Sequence, residues 1–279
     1  MLNENLRSES ELEFVRQRLL ADPSGVSFES SRKGDKEDQT CAEALRELRS
    51  RSGFSRWGVG QIAVIPYYKS KGIVLFNCDW HEIDWSEHEK FDLLLCDPPY
   101  GLSEAKGKNK SRTKLALAKD YGVSDWDDKP PSDFDLIWLR ELAKWQIMWG
   151  GNYFVLPPSK CWLVWDKVNS GDFADCELAW TNLDKAVRIF HYMWNGMLKE
   201  QPEYRMHPCQ KPTALFSWCI SQAPKEIKTV VDPFAGSCTT AVVCKRLGLS
   251  CVCVEREEKY LEDGAKRLEQ EVFQWEGSE

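Results

Sequence analysis

Asp97-Pro98-Pro99-Tyr100 follows directly on the apolar run Leu93-Leu94-Leu95-Cys96. Consecutive prolines fix φ and stiffen a turn, so Asp97 and the Pro98 carbonyl are presented at a set spacing. Both accept hydrogen bonds, and an ionised Asp97 donates none. Such acceptors suit an aromatic amino group, which carries two N–H donors and a lone pair delocalised into its ring. Engaging both hydrogens draws the nitrogen towards tetrahedral geometry and localises the lone pair for attack. Tyr100 adds a flat face on which a base can stack, worth about 1–3 kcal/mol. Taken bare, the tetrapeptide also reads as a strand end followed by a stiff turn.

A second constellation is Asp232-Pro233-Phe234-Ala235-Gly236-Ser237-Cys238-Thr239-Thr240, after Thr229-Val230-Val231. A strand running into a small-residue turn and then a helix brings backbone close to a nucleoside cofactor. The next apolar run ends in Glu255, placed to accept hydrogen bonds from ribose hydroxyls, at roughly the separation a nucleotide fold uses. Phosphate is a poorer fit, because no Lys-Ser/Thr pair of the P-loop type follows the glycine. A third motif, His207-Pro208-Cys209-Gln210-Lys211-Pro212, opens a helical pattern. Lys211 near a helix start could meet a carboxylate, or simply mark the helix entry.

The elements that position these motifs alternate. Gly72–Phe76, Phe91–Cys96, Cys161–Trp165, Glu177–Trp180, Val187–Met193, Thr229–Asp232 and Cys251–Glu255 read as strands. Phe134–Trp149, Pro212–Gln222, Thr239–Leu247 and Glu257–Gln270 read as helices. Short apolar strands alternating with helices predict an α/β fold with a doubly wound, mostly parallel sheet. Residues 1–60 have helical spacing at Leu12, Val15 and Leu19 and at Ala42, Leu45 and Leu48, with a polar stretch between. They read as a small, partly mobile helical appendage to a domain over 61–279. Residues 101–133 lack periodicity and end in Pro130-Pro131. A loop that long inside a domain is usually functional, and it follows the C-terminal end of a strand, where open α/β sheets bind ligands.

In this order the motifs resemble the β-group of DNA amino-methyltransferases, in which the catalytic Asp-Pro-Pro-Tyr precedes the cofactor turn, a circularly permuted Rossmann-like arrangement. Met148-Trp149-Gly150-Gly151-Asn152-Tyr153-Phe154, Trp162-Leu163-Val164-Trp165-Asp166-Lys167 and Glu177-Leu178-Ala179-Trp180-Thr181 are similar to stretches of phage and prophage adenine methyltransferases. The resemblance covers roughly residues 72 to 270. It implies S-adenosylmethionine as cofactor and double-stranded DNA as partner, with a flipped-out base as target and restriction-modification as the setting, whether or not a restriction nuclease is linked. It makes Asp97, Pro98, Pro99 and Tyr100 catalytic. Asp232, Phe234, Gly236, Ser237, Cys238, Thr239 and Glu255 would hold the cofactor, Lys211 its carboxylate, and Asp79 would lie near its adenine. An aspartate opening the catalytic motif implies N6 of adenine, where serine would imply N4 of cytosine. Cys238 departs from the family, which usually has a third glycine there; a side chain at that position would crowd the methionine moiety or the helix start.

Composition sets limits on partners. The net charge of −7 argues against a generally basic surface. Charge is local, however: Lys106, Lys108, Lys110, Arg112 and Lys114 follow the catalytic motif, and Arg46, Arg49, Arg51 and Arg56 form another group. DNA binding needs such a local surface, though solvated loop charges have the same look. The eleven cysteines include no Cys-x-x-Cys pair, and several sit in apolar runs, so no metal is expected. No run approaches a membrane span, and the N-terminus lacks a secretory pattern, which places the chain in a reducing cytoplasm, nucleoid-associated, with a homodimer left open. Besides N6-adenine transfer, the open readings are N4-cytosine transfer, a homologue that binds cofactor or DNA without catalysis, and methylation of RNA or protein.

Overall fold

The computed structural model describes residues 64–85, 88–101, 130–168, 174–195, 198–199 and 210–270. The chain divides into two units, Met1–Ala63 with Leu156–Pro158, and Val64–Val155 with Ser159–Glu279. The first lies almost wholly outside the described residues, and with it the helical appendage expected over 1–60. The sheet and helices belong to the second.

The strands are β1 (Tyr68–Ser70), β2 (Ile73–Asn77), β3 (Phe91–Cys96), β4 (Ala143–Trp149), β5 (Trp162–Asp166), β6 (Cys176–Thr181), β7 (Arg188–His191), β8 (Trp194–Asn195), β9 (Leu198–Lys199), β10 (Thr229–Asp232) and β11 (Ser250–Glu255). The helices are α1 (Asp133–Glu141), α2 (Thr213–Gln222), α3 (Thr239–Leu247) and α4 (Glu258–Gln270). Among the described residues one sheet runs β1-β2-β11-β10-β3-β4-β6-β5-β7, and β8 and β9 pair separately. Strands β2, β11, β10, β3 and β4 are mutually parallel. β6 is antiparallel to both its neighbours, β5 and β7 are parallel, and β1 forms an antiparallel hairpin with β2.

The chain leaves β10 through α3 to reach β11 on one side, and leaves β3 through α1 to reach β4 on the other. The β10/β3 boundary is therefore where strand order reverses, the place where open α/β sheets bind ligands. Right-handed crossovers in opposite directions put their helices on opposite faces, which makes the sheet doubly wound, as expected. The central strands are covered on both faces. This is why β3 is apolar nearly throughout, with Leu93, Leu94, Leu95 and Cys96 fully buried.

One predicted helix is wrong in its second half. The pattern over Phe134–Trp149 predicts a helix throughout, but α1 stops at Glu141 and Ala143–Trp149 is β4. Ser132 caps the helix start in a capping box with Asp135, and the Leu142 amide closes the last turn on Leu139. No glycine or proline marks the change, and a strand buried on both faces does not alternate. Pairing to β3 and β6 overrides the local pattern. Strand β1 and the pair β8–β9 are further additions to the predicted elements.

Candidate active site

Strand β3 delivers Asp97 to the C-terminal edge of the sheet, and the two prolines carry the chain to Tyr100. The Tyr100 hydroxyl donates to Asp97 Oδ1, and Lys211 Nζ donates to Asp97 Oδ2 at 2.5 Å. Lys211 comes from just before α2 and is only 8% exposed. Its ammonium also lies 3.1 Å from Glu177 Oε2, near the start of β6, and Lys167 Nζ lies 2.5 Å from Glu177 Oε1. Four charged side chains thus alternate in sign: Asp97, Lys211, Glu177, Lys167.

Burial decides how they titrate. It pushes the Asp97 carboxyl above the usual carboxylate range, against the pull of Lys211. It also works against the Lys211 charge, but Asp97 and then Glu177 outweigh it and keep the ammonium protonated well beyond its ordinary range. For Glu177 burial is overcome by Lys211 and Lys167, which hold it down at about 2. Burial, followed by Asp97, raises the Tyr100 phenol well above normal, so it remains a donor.

An aromatic wall surrounds Tyr100. Tyr153 stacks on it, centroids 4.9 Å apart and planes 19° apart, and Phe154 meets it edge-on at 6.1 Å. Gly150, at the end of β4, has φ +69°, and a Cβ there would lie 2.0 Å from the Tyr100 ring. These neighbours are legible in the sequence only as part of a family-like stretch. Glu177 and Lys167 likewise stand in such stretches without a role, because nothing in their spacing pairs them with residues so distant in the chain.

On the strand next to β3, β10 ends in Asp232 and runs into the glycine turn. Asp232 is turned inward: it accepts from the Phe234 amide at 3.0 Å and from the Thr240 hydroxyl. Burial raises its carboxyl to about 7, helped by the charges of Asp97 and Glu255. Glu255, at the end of β11, accepts from the Gly236 amide through Oε2 and from the Glu257 amide through Oε1, each at 2.8 Å. Asn77, at the end of β2, ties the adjoining backbone by donating to the carbonyls of Glu255 and Arg256 at 3.0 Å. Ser237 and Thr239 are buried, and the Ser237 carbonyl accepts from Arg267 at 2.7 Å. Asp79 caps the short 3-10 turn Trp80–Glu82 and pairs with His81 Nδ1 at 2.6 Å.

Cys238 has φ 57° and is fully buried at the head of α3. Its sulfur faces Gly264 on α4, where a Cβ would lie 2.4 Å away. The side chain thus occupies space vacated by a glycine of the neighbouring helix.

The structure therefore brings Asp97 to Tyr100 together with Lys211, and Asp232, Phe234 and Gly236 together with Glu255, along one sheet edge. The basic run Lys106, Lys108, Lys110, Arg112 and Lys114 lies outside the described residues. Among the described residues there is no cluster able to hold a metal ion and no helix long and apolar enough to cross a membrane.

The Asp97–Tyr100 segment and the turn from Asp232 to Gly236 thus follow neighbouring strands at the switch point of a doubly wound sheet. Residues 157–266 match a family model described as DNA methylase. The type II methyltransferase M2.DpnII of Streptococcus pneumoniae is 26% identical over 260 residues, 76% of this chain and 95% of the relative. M.HinfI of Haemophilus influenzae is 37% identical over 228 residues, 65% of this chain and 64% of the relative. Among solved structures, M1.HpyAVI is 21% identical at a TM-score of 0.42, covering 71% of this chain and 99% of that one. Over these stretches the chain is similar to DNA methyltransferases.

Proposed function

We propose that this protein methylates N6 of adenine in double-stranded DNA, with S-adenosylmethionine as cofactor and Asp97–Tyr100 as the catalytic segment. The observation that carries this reading is the half-buried Asp97 carboxylate, held by Tyr100 and Lys211 at the switch point, one strand from the glycine turn.

The residues present fit the cofactor. Each Glu255 oxygen takes a single backbone amide, leaving lone pairs that two ribose hydroxyls can use. Phe234 is partly exposed beside the turn and backed by buried Trp80, so its ring offers an apolar contact to a purine. Asp97, Asp232 and Glu255 end or follow three adjacent strands, so the outer carboxylates stand about 10 Å apart at the usual strand spacing. When bound, S-adenosylmethionine supplies an electrophilic methyl group on a sulfonium. Asp97 accepts a hydrogen bond from the target amino group and orients its lone pair. As the new N–C bond forms, the methyl C–S bond would break with its electron pair left on sulfur as a neutral thioether, and the amino proton that must leave would pass to Asp97.

The target base has to leave the duplex, at a cost of a few kcal/mol. Stacking against Tyr100 and Tyr153 would offset part of this, and the charges of the basic run after the motif suit phosphate. The aspartate opening the motif favours adenine, by resemblance to the family. Labelled S-adenosylmethionine with unmethylated duplex DNA, followed by nucleoside analysis, tests the assignment. Label in N6-methyladenine is expected. Label in N4-methylcytosine would move the activity to the other amino group, and label in neither base would overturn the reading.

A further inference from the structure

We propose that Glu177, backed by Lys167, is a positioning residue of this reaction: it holds the Lys211 ammonium at the Asp97 carboxylate and shares its charge, so that Asp97 stays a strong acceptor for the target amino group. This rests on the reading of Asp97 as catalytic.

The arrangement is built from four separate segments. β5 and β6 are antiparallel with Trp165 opposite Glu177, and the Lys167 amide extends the ladder to the Asp175 carbonyl at 3.0 Å. Lys167 and Glu177 are thereby set side by side at one end of the pair. Lys211 enters from before α2 and Asp97 from the end of β3. An ammonium held by Asp97 alone would be a poor neighbour for a general acceptor. It would compete with the substrate amine for the carboxylate lone pairs and draw off their charge. Glu177 divides that ammonium between two carboxylates, at 2.5 Å to Asp97 and 3.1 Å to itself. Lys167 in turn limits how much of the charge Glu177 claims. Stability is a weak reason for such a network, because well-packed apolar groups usually do as well in its place.

The alternating order gives opposite signs for opposite charges. The groups facing Asp97 are Tyr100 and Lys211, Glu177 on β6, Cys96 beside it, and Asp232 on β10. Removing the Glu177 charge leaves Lys211 wholly to Asp97, so Asp97 ionises more readily and accepts more weakly. Removing the Lys167 charge strengthens Glu177's hold on Lys211 and makes Asp97 more basic.

The test is single-turnover methylation of unmethylated duplex DNA by the full chain at saturating S-adenosylmethionine, followed against pH. Glu177→Gln should lower the plateau rate by about tenfold and move the acid limb to lower pH. Glu177→Asp should recover part of both. Lys167→Met should move the acid limb to higher pH. S-adenosylmethionine affinity by calorimetry should stay near that of the native chain. Native profiles in the Glu177 and Lys167 variants would overturn the proposal. So would a large loss of cofactor affinity with an unmoved acid limb, which would assign Lys211 to the cofactor carboxylate instead. If Glu177→Gln fails to fold, the sign of the Lys167→Met shift decides. Asp97→Ala separates the two readings: if it turns over normally the catalytic reading fails, whereas an inactive Asp97→Ala beside native Glu177 and Lys167 profiles sinks the relay alone.

Discussion

Tyr100 is fixed from several directions at once. Its hydroxyl is tied to Asp97, its ring is stacked by Tyr153, and its edge lies against the backbone of Gly150. A base that stacks on Tyr100 must share or displace Tyr153, which is 50% exposed. The net gain is then smaller than stacking on a bare ring would give. Gly150 is needed twice over, for its positive φ and for the 2.0 Å approach of the Tyr100 ring to where a Cβ would stand. Gly150→Ala should therefore displace Tyr100 and with it the Asp97 carboxylate. A misplacement of this order costs up to about 10²-fold in rate, while strain at a left-handed residue costs about 1–2 kcal/mol of stability. Rate and urea midpoint measured on the same preparation check this; a variant with native turnover would mean that the Tyr100 position is not needed for the reaction. The chemistry of this site is legible in the sequence where it is contiguous: Asp97-Pro98-Pro99-Tyr100 declares an acceptor, a stiff turn and a stacking face. Glu177, Lys167 and Tyr153 are not legible in this way, because their meaning lies in pairings made across β4, β5 and β6.

At the scale of elements, the turn between β10 and α3 shows how a departure from a glycine is accommodated. Cys238 adopts the left-handed conformation normally given to glycine, and its sulfur sits over Gly264 on the inner face of α4. Glycine inside a helix costs about 1 kcal/mol relative to alanine, so Gly264 is a local weakness that the packing of Cys238 requires. Gly264→Ala alone should destabilise by about 1–3 kcal/mol through overpacking. In a Cys238→Gly background the same change should instead stabilise by about 1 kcal/mol, because the helix gains and nothing is struck. Urea unfolding of the four proteins in this cycle measures the sign; additive effects would show that the two positions do not compete for space. Because the thiol points into the core, Cys238→Gly should leave cofactor affinity near native, which removes the crowding expected from the sequence. Most elements are readable from apolar runs because each is bounded by polar or small residues. β4 is not, since Leu142 joins it to α1 without a break, and only its place between β3 and β6 makes it a strand.

At the scale of the whole molecule, charge governs both folding and the approach to DNA. His81 bridges the loop after β2 to α1, with Nδ1 2.6 Å from Asp79 and Nε2 2.9 Å from Asp135. Burial alone would lower its pKa, but Asp135 and Asp79 raise it to about 9. Because the folded value lies above the unfolded one of about 6.5, the link's full contribution is present below that pH and is lost as pH rises through about 9. Both carboxylates are lowered, Asp79 chiefly by its bond to His81 and Asp135 by bonds that outweigh burial, so the link also weakens as pH falls through the carboxylate range. The midpoint of thermal unfolding should therefore fall from neutral pH to about pH 10 more steeply in the native chain than in His81→Gln; parallel curves would mean that His81 contributes nothing to this dependence. Towards DNA the chain carries a net charge of −7, so its overall field repels the substrate and attraction has to be local. The segment Lys106 to Lys114 holds five positive side chains and no acidic one, immediately beyond a motif that must reach a base. Placed opposite phosphates, these side chains would release counterions, and affinity would fall as salt rises. Replacing Lys106, Lys108, Lys110, Arg112 and Lys114 by alanine should weaken binding and flatten the dependence of log affinity on log salt, by up to about 0.9 for each phosphate no longer neutralised. Cofactor affinity should hardly move, since the residues proposed to hold the cofactor lie elsewhere in the chain. Sequence preference should survive, because phosphate contacts position a protein and base contacts specify. Salt titrations of the two proteins on one duplex decide the matter. Equal slopes would leave the run as ordinary solvated charge and send the search for the DNA surface to Arg46, Arg49, Arg51 and Arg56.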